Sequence, residues 1–366
     1  MPANFDREVH CLLGLPFDAV SMAGAAKSIR AAAENRIPCF LSTPNLNFLV
    51  AAQSDIAFRN SVINSDLSIA DGMPLIWIAR LLGVPIRERV AGSALFETLR
   101  SGSVRQITIY FFGGPNGVAE NACRRLNAEA GGLRCVGFDS PGFGSVDEMS
   151  SEAVLQRIND SNPEFLVVSL GARKGQAWIE RNRSRISAPV ISHLGAVVNF
   201  VAGTVKRAPV WMQKVGLEWL WRIKEDPVLW RRYLFDGLAL LRLLATRVVP
   251  YAWFKLFHKP EVRELEFAAI TLFDEGARIS IRLRGAWDNA NIAPLRECFA
   301  SPVLAGKDIR IELQDVTYID SAFIGLMLLL YGDRGRQERQ LSIANAKPEV
   351  RRIFRYGCAE YLLERK

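Results

Sequence analysis

Hydrophobic and polar positions follow two rhythms along this chain, and the change comes after Pro250. Before it, short continuous apolar runs recur at residues 9–15, 38–42, 67–70, 107–112, 134–138, 165–170 and 189–194. Such runs fit strands buried on both faces. Helix-like patterns lie between them: an Ala-rich stretch at 21–35, then 117–129 and 152–160. Strands alternating with helices predict a parallel sheet in a Rossmann-like α/β layer fold over residues 1–203. After Pro250, Ile279, Ile281 and Leu283 alternate with polar neighbours across 278–284, and Ile309, Ile311 and Leu313 repeat the pattern. These are half-buried strands, and helical periods follow at 292–299, 322–331 and 349–356. A second, small α/β domain is therefore expected over 262–366.

The stretch between, 204–255, has its own character. Trp211, Val215, Trp219 and Ile223 recur every four residues and predict one apolar stripe on one helix. From Lys206 to Arg247 there are nine Lys or Arg against four acids, and five of the eight Trp fall between Trp211 and Trp253. Tryptophan beside cationic residues suits a helix lying at a bilayer interface, although ordinary packing gives the same stripe. Residues 234–254 are apolar but interrupted by Asp236, Arg242, Arg247 and Pro250, which argues against a membrane-crossing span and for peripheral attachment.

Candidate chemistry gathers at strand ends. Thr43-Pro44-Asn45 follows the run at 38–42, and Asp71-Gly72 follows the run at 67–70. In open α/β sheets ligands bind outside the carboxyl ends of the strands, so Thr43, Asn45 and Asp71 are expected to meet in one cleft. Asp71 reads equally as a simple N-cap of the helix beginning at Met73. Gly113-Gly114 precedes another helix, where backbone N–H groups can cradle a phosphate or merely make a tight turn. No GxGxxG, P-loop or Asp-x-Asp cluster is present in this domain.

TPNLNF, ADGMPLIW, ERVAGS, FFGG and GTVKRAPVWMQKVGLEWLWR occur in the order seen in the WecG/TagA/CpsF glycosyltransferases, and the chain resembles that family over about residues 8–245. The resemblance implies transfer of a sugar from a nucleotide diphosphate donor, UDP-linked, to a polyprenyl-diphosphate-linked acceptor, with inversion. It places Asp71 as general base, a role suited to a carboxylate that must take a hydroxyl proton. Thr43, Asn45, Gly113, Gly114, Gln176 and Asn199 fall among the expected substrate-binding positions. Arg89, Arg222 and Arg232 match arginines expected to contact phosphates. By its residues alone Arg89 reads as well as a solvated surface arginine. The chain departs from the family pattern where Gly175 takes the usual Gln place, with Gln176 one later, where Ala94 and Asn199 replace frequent Asp, and where Leu229 replaces an Arg; Arg231 is the nearest substitute. The implied catalysis needs no metal and no cofactor, because arginines and N–H groups neutralise the diphosphate.

GAWD, VTYIDSAFIG and the ending RRIFRYGCAEYLL together resemble a STAS domain, which implies a protein partner. Ser321, after Asp320, holds that family's phosphorylated position, where a hydroxyl at an apolar helix start could serve as a regulatory switch or as a plain cap.

Composition narrows the remaining choices. A net charge of +8 fits anionic partners, whether nucleotide diphosphate, lipid diphosphate or an anionic membrane surface; no recognised motif supports nucleic acid. The six cysteines form no CxxC pair, which argues against a disulfide framework or zinc site and for a reducing compartment. His10, His193 and His258 are too dispersed for a ligand set, and His193 reads as structural. The run at 9–15 is too short for a signal peptide. The expectation is an enzyme of the cytoplasmic membrane face. The rival is a non-catalytic sugar-nucleotide sensor with the STAS-like domain as its output.

Overall fold

The computed structural model describes residues 3–102, 105–142 and 144–364. The chain opens with β1 (Val9–Leu12) and β2 (Leu15–Asp18), an antiparallel hairpin. The expected single strand at 9–15 is thus folded back on itself, because Leu13 and Gly14 both take positive φ, as a two-residue hairpin turn requires. The hairpin stays outside the main sheet. Arg7 pairs with Asp18 at 2.7 Å, and the same carboxylate accepts the Ser68 N–H at 2.6 Å, tying hairpin to sheet.

Helix α1 (Met22–Glu34) leads into β3 (Cys39–Ser42), α2 (Leu46–Ala52), α3 (Ile56–Ile63), β4 (Leu67–Ser68), α4 (Met73–Leu81) and α5 (Gly92–Arg100). There follow β5 (Ile107–Gly113), α6 (Val118–Ala128), β6 (Leu133–Asp139), α7 (Glu152–Asp160), β7 (Phe165–Ser169), α8 (Ala172–Asn182), β8 (Val190–His193) and α9 (Val197–Ala202). The six strands β3–β8 form one parallel sheet in the order β4-β3-β8-β7-β5-β6. Its faces are filled separately. One core holds Ile29, Phe96, Leu99 and Leu126; the other holds Phe112, Leu155, Trp178 and Ile179. This accounts for strands that read as continuous apolar runs. Cys123 on α6 and Cys135 on β6 are joined by a disulfide with their Cα atoms 5.2 Å apart, a pairing that their spacing of 12 gave no sign of.

The basic segment is not one helix. Gly216 takes φ 77° and divides it into α10 (Val210–Lys214) and α11 (Glu218–Glu225), so the Trp211–Ile223 stripe is broken. The next helical run is longer than expected. It comprises α12 (Leu229–Leu243), a π turn (Leu244–Val248) and α13 (Val249–Phe257), 29 residues in all. Pro250 lies in the first turn of α13, directly after the π turn, and does not end the helix. Among the described residues this is the one helix long and apolar enough, by length and composition, to cross a membrane. Asp236, Tyr251 and Phe254 are nevertheless buried against the rest of the protein. Leu234, Leu238, Leu241, Val249, Trp253 and Leu256 form an exposed stripe.

After α14 (Val262–Glu266) comes the second α/β unit: β9 (Ala269–Asp274), β10 (Arg278–Trp287), α15 (Ala293–Ala300), β11 (Asp308–Ile319), α16 (Ser321–Arg336), β12 (Leu341–Ala344) and α17 (Pro348–Tyr356). The sheet order is β12-β11-β10-β9, with β9 antiparallel at one edge. Helix α16 is apolar on nearly every side because it is covered on nearly every side. The β1–β2 hairpin packs on it so closely that a Cβ at Gly325 would lie 2.4 Å from the Val9 carbonyl oxygen. One continuous core therefore joins Leu12 and Phe17 of the hairpin, Tyr251 and Phe254 of the long helix, and Phe323 and Phe354 of the second unit. The long helix is pinned at its far end, where Tyr356 stacks on Tyr251 at 5.7 Å and Arg247 donates to the Arg355 carbonyl.

Candidate active site

The carboxyl ends of β3 and β4 lie side by side, and the chain beyond each turns into the same cleft. The Asp71 N–H donates to the Pro44 carbonyl at 2.9 Å, which fixes the two loops together. Asn45 caps α2 by accepting the Phe48 N–H. Asp71, in contrast, caps nothing on α4, whose cap is Gly72. Its carboxylate reaches across to the start of α5 and accepts the Gly92 N–H at 3.2 Å. A Cβ at Gly92 would meet Leu194 at 2.7 Å and the Thr43 methyl at 3.1 Å, so glycine is what lets α5 come this near.

Four charges then alternate in a row. Arg89 lies 3.5 Å from Asp71 and 2.7 Å from Glu218, and Glu218 lies 3.7 Å from Arg222. Arg89 also donates to the Gln213 carbonyl, so one side chain of the α/β domain grips both α10 and α11. Burial holds the Asp71 carboxyl above the usual carboxylate range; Arg89 pulls the other way, and Glu218 adds to the rise. The result is a carboxylate of raised proton affinity that is still 24% exposed toward the cleft.

The cleft has a volume of about 430 Å³ and is lined by Asn45, Asn47, Asp71, Trp77, Arg89, Glu218, Arg222, Arg232, Tyr233 and Asp236, among others. It brings together five of the expected residues: Asn45, Asp71, Arg89, Arg222 and Arg232. The others lie elsewhere. Thr43 is buried, its methyl group against the start of α5 at Gly92. Asn199 lines a neighbouring cavity of about 160 Å³ that shares Glu218 and Arg222. The Gly114 N–H donates to the Ser169 carbonyl at 3.0 Å, and a Cβ at Gly113 would strike that same oxygen at 2.7 Å; this pair makes a tight turn with its Gly114 donor already used. Gln176 is fully buried, donating to Ser42 and accepting from Ser61, so it ties α8 to β3 and α3 behind the cleft. Gly175 is compelled by its neighbour, since a Cβ there would lie 2.3 Å from the His193 ring. His193 is buried, and desolvation lowers its pKa to about 4, so the ring is neutral. Ser321 does not cap α16; Asp320 does, accepting from Ala322 and Phe323. The Ser321 hydroxyl instead lies 3.1 Å from His10 Nδ1 of the hairpin, half-buried rather than exposed.

Three cleft residues carried no functional weight in the sequence. Glu218 was visible only as an acid inside a basic segment. Asp236 reads there as an interruption of an apolar helix, and Asn47 as one more residue of the TPNLNF motif. Among the described residues no group of three His, Cys, Asp or Glu side chains is placed to hold a metal ion.

Known proteins match this arrangement in two blocks. The model of the glycosyl transferase WecG/TagA/CpsF family matches residues 10–252, and that of the Mlab, STAS domain matches 270–364. Among curated relatives, the N-acetylglucosaminyldiphosphoundecaprenol N-acetyl-beta-D-mannosaminyltransferase of Bacillus spizizenii is 28% identical over 51% of this chain and 74% of its own. The protein of the same name from Staphylococcus aureus (strain MW2) is 25% identical over 60% of this chain and 85% of its own. A solved structure of the anti-sigma factor antagonist SpoIIAA in its unphosphorylated form aligns with 26% of this chain and 86% of its own, at 20% identity and a TM-score of 0.25. Because the family's model spans well over half of its length, the protein belongs to the WecG/TagA/CpsF family of glycosyltransferases, with a STAS domain following the transferase region.

Proposed function

We propose that the chain transfers a sugar from a UDP-linked donor to a sugar carried on polyprenyl diphosphate, with inversion, in the synthesis of a bacterial surface or exported polysaccharide. One observation carries this reading. Asp71, a carboxylate of raised proton affinity just beyond the carboxyl end of the sheet, faces a cleft that also holds three guanidinium groups, Arg89, Arg222 and Arg232. Asp71 takes the proton of the acceptor hydroxyl as its oxygen bonds to the donor's anomeric carbon. The bond from that carbon to the diphosphate breaks on the opposite face, its electron pair leaves with the nucleotide diphosphate, and one displacement inverts the centre. The guanidinium groups neutralise the departing charge, which is the basis for reading the reaction as metal-independent.

The exposed stripe on the long helix, beside Arg231, Arg242 and Arg247, supports peripheral attachment to an anionic membrane, on its cytoplasmic face. The acceptor in the relatives' names, an undecaprenol-linked sugar, agrees with such a location. Purified protein incubated with a panel of nucleotide sugars and a polyprenyl-diphosphate sugar should yield an extended lipid from at least one donor. Binding of a nucleotide sugar with no extension of any acceptor would favour a sensor acting through the STAS domain.

A further inference from the structure

Asp236 is a buried charge that packing does not need. It is 5% exposed, on a helix whose neighbouring residues Leu234, Phe235 and Leu238 face outward. Both of its carboxylate oxygens lie 3.2 Å from one donor, the Asn47 side-chain nitrogen. A carboxylate offers about four acceptor positions, so most of its capacity is unused among the described residues. Burial raises the Asp236 pKa above the usual carboxylate range; the Asn47 hydrogen bond and Arg232, one turn earlier on the same helix, pull the other way, yet Arg232 makes no ion pair with it. A buried carboxylate this poorly supplied is costly unless something else donates to it. The cleft opens beside it: Gly237 has nothing within 4 Å of where a Cβ would stand.

We propose that Asp236 and Asn47 form the subsite that holds the sugar of the lipid-linked acceptor through its hydroxyl groups. The inference rests on the transfer reading above for which substrate is the acceptor. A carboxylate repels diphosphate and accepts from hydroxyls, so this end of the cleft suits the neutral part of a ligand whose charged part lies on the arginines. Trp77 and Tyr233 line the same cleft and offer apolar faces to a pyranose ring. Arg232 and Asp236 are one helical turn apart, about 6 Å along the axis, which is the reach from a pyranose hydroxyl to the phosphate on its anomeric carbon. The helix that carries both also carries the outward apolar stripe, so it is the wall nearest a substrate arriving on a lipid.

The test is calorimetric titration with a short-chain polyprenyl-diphosphate N-acetylglucosamine and with the same polyprenyl diphosphate lacking sugar, alongside transfer kinetics. Asp236→Ala should weaken the sugar-bearing ligand ~100-fold and Asp236→Asn ~10-fold, the range for a hydrogen bond to a charged group. Affinity for the sugarless ligand and thermal stability of Asp236→Asn should hold. Asn47→Ala frees the helix tie but keeps the carboxylate, so its effect should be smaller than that of Asp236→Ala. Equal affinity of wild type and Asp236→Ala for the sugar-bearing ligand overturns the subsite. Equal loss for both ligands also overturns it, showing a structural tie alone. Asp236-dependent binding without any turnover supports the subsite and removes the transfer reading. Absence of binding to the wild type removes both.

Discussion

Replacing Asp71 by Asn should raise stability while abolishing most activity. The amide keeps the shape and one acceptor oxygen for the Gly92 N–H, which lies at 3.2 Å. Arg89 keeps Glu218 at 2.7 Å, so no cation is left without a partner. Nothing in the fold therefore depends on the lost charge. In the wild type, burial raises the Asp71 pKa, so the folded state disfavours the ionised form relative to the unfolded chain. A carboxyl of this kind costs stability as pH rises from its unfolded value through its folded one, and costs nothing when protonated in both states. The Asn variant should melt higher than the wild type at neutral pH, with the gap closing below about pH 4. Loss of a general base lowers turnover by ~10²–10⁴, or about 3–5 kcal/mol in the barrier. Wild-type turnover should also fall with pH below the raised pKa, and the residual rate of the variant should not. Scanning calorimetry and lipid-extension assays across pH measure both. A variant melting below the wild type at pH 7, or turning over within about threefold of it, would refute the argument.

Three further outcomes follow from the packing. Gly325→Ala forces a methyl group against the Val9 carbonyl and should cost roughly 1–3 kcal/mol, seen as a lower urea midpoint with native secondary structure retained. Ser321→Asp sets a carboxylate beside His10, whose pKa burial lowers to about 4, so the variant should melt below the wild type at pH 7; an unchanged melting temperature would show that this contact carries no stability. The double substitution Leu238→Glu, Leu241→Glu on the exposed stripe should abolish sedimentation with anionic vesicles and leave the melting temperature within a few degrees; undiminished sedimentation would remove this face as the attachment surface.

Five strands of the parallel sheet were legible because burial on both faces leaves an apolar run, and the edge strand β6, partly exposed, kept enough of one; each was located to within a residue or two. The small sheet was legible at β10 and β11 through alternation, whereas β9, mostly exposed at an edge, gave no pattern. What misled was local punctuation read without its tertiary setting. Leu13-Gly14 turned an apparent strand into a hairpin, Gly216 cut an apparent helix, and the π turn carried a helix through Pro250. The place of Asp71 after a strand put it at the cleft but left a plain N-cap equally open; only the family resemblance singled it out. Glu218 and Asp236 were not recognisable, because an acid's role in a basic or apolar segment depends on what folds opposite it. Cys123 and Cys135 become neighbours only when α6 lies on β6.

The hairpin against α16 also sets a schedule for synthesis. His10 and Ser321 touch although they are 311 positions apart, so the hairpin strands, once made, wait for α16. At about 5–20 residues per second that interval is roughly 15–60 s. Throughout it the apolar underside of the hairpin has no lasting cover, and neither has the inner face of the long helix once that helix is made. A nascent chain with such a delay is a natural client for holding chaperones, and its yield should depend more on translation speed than on the final stability of the fold.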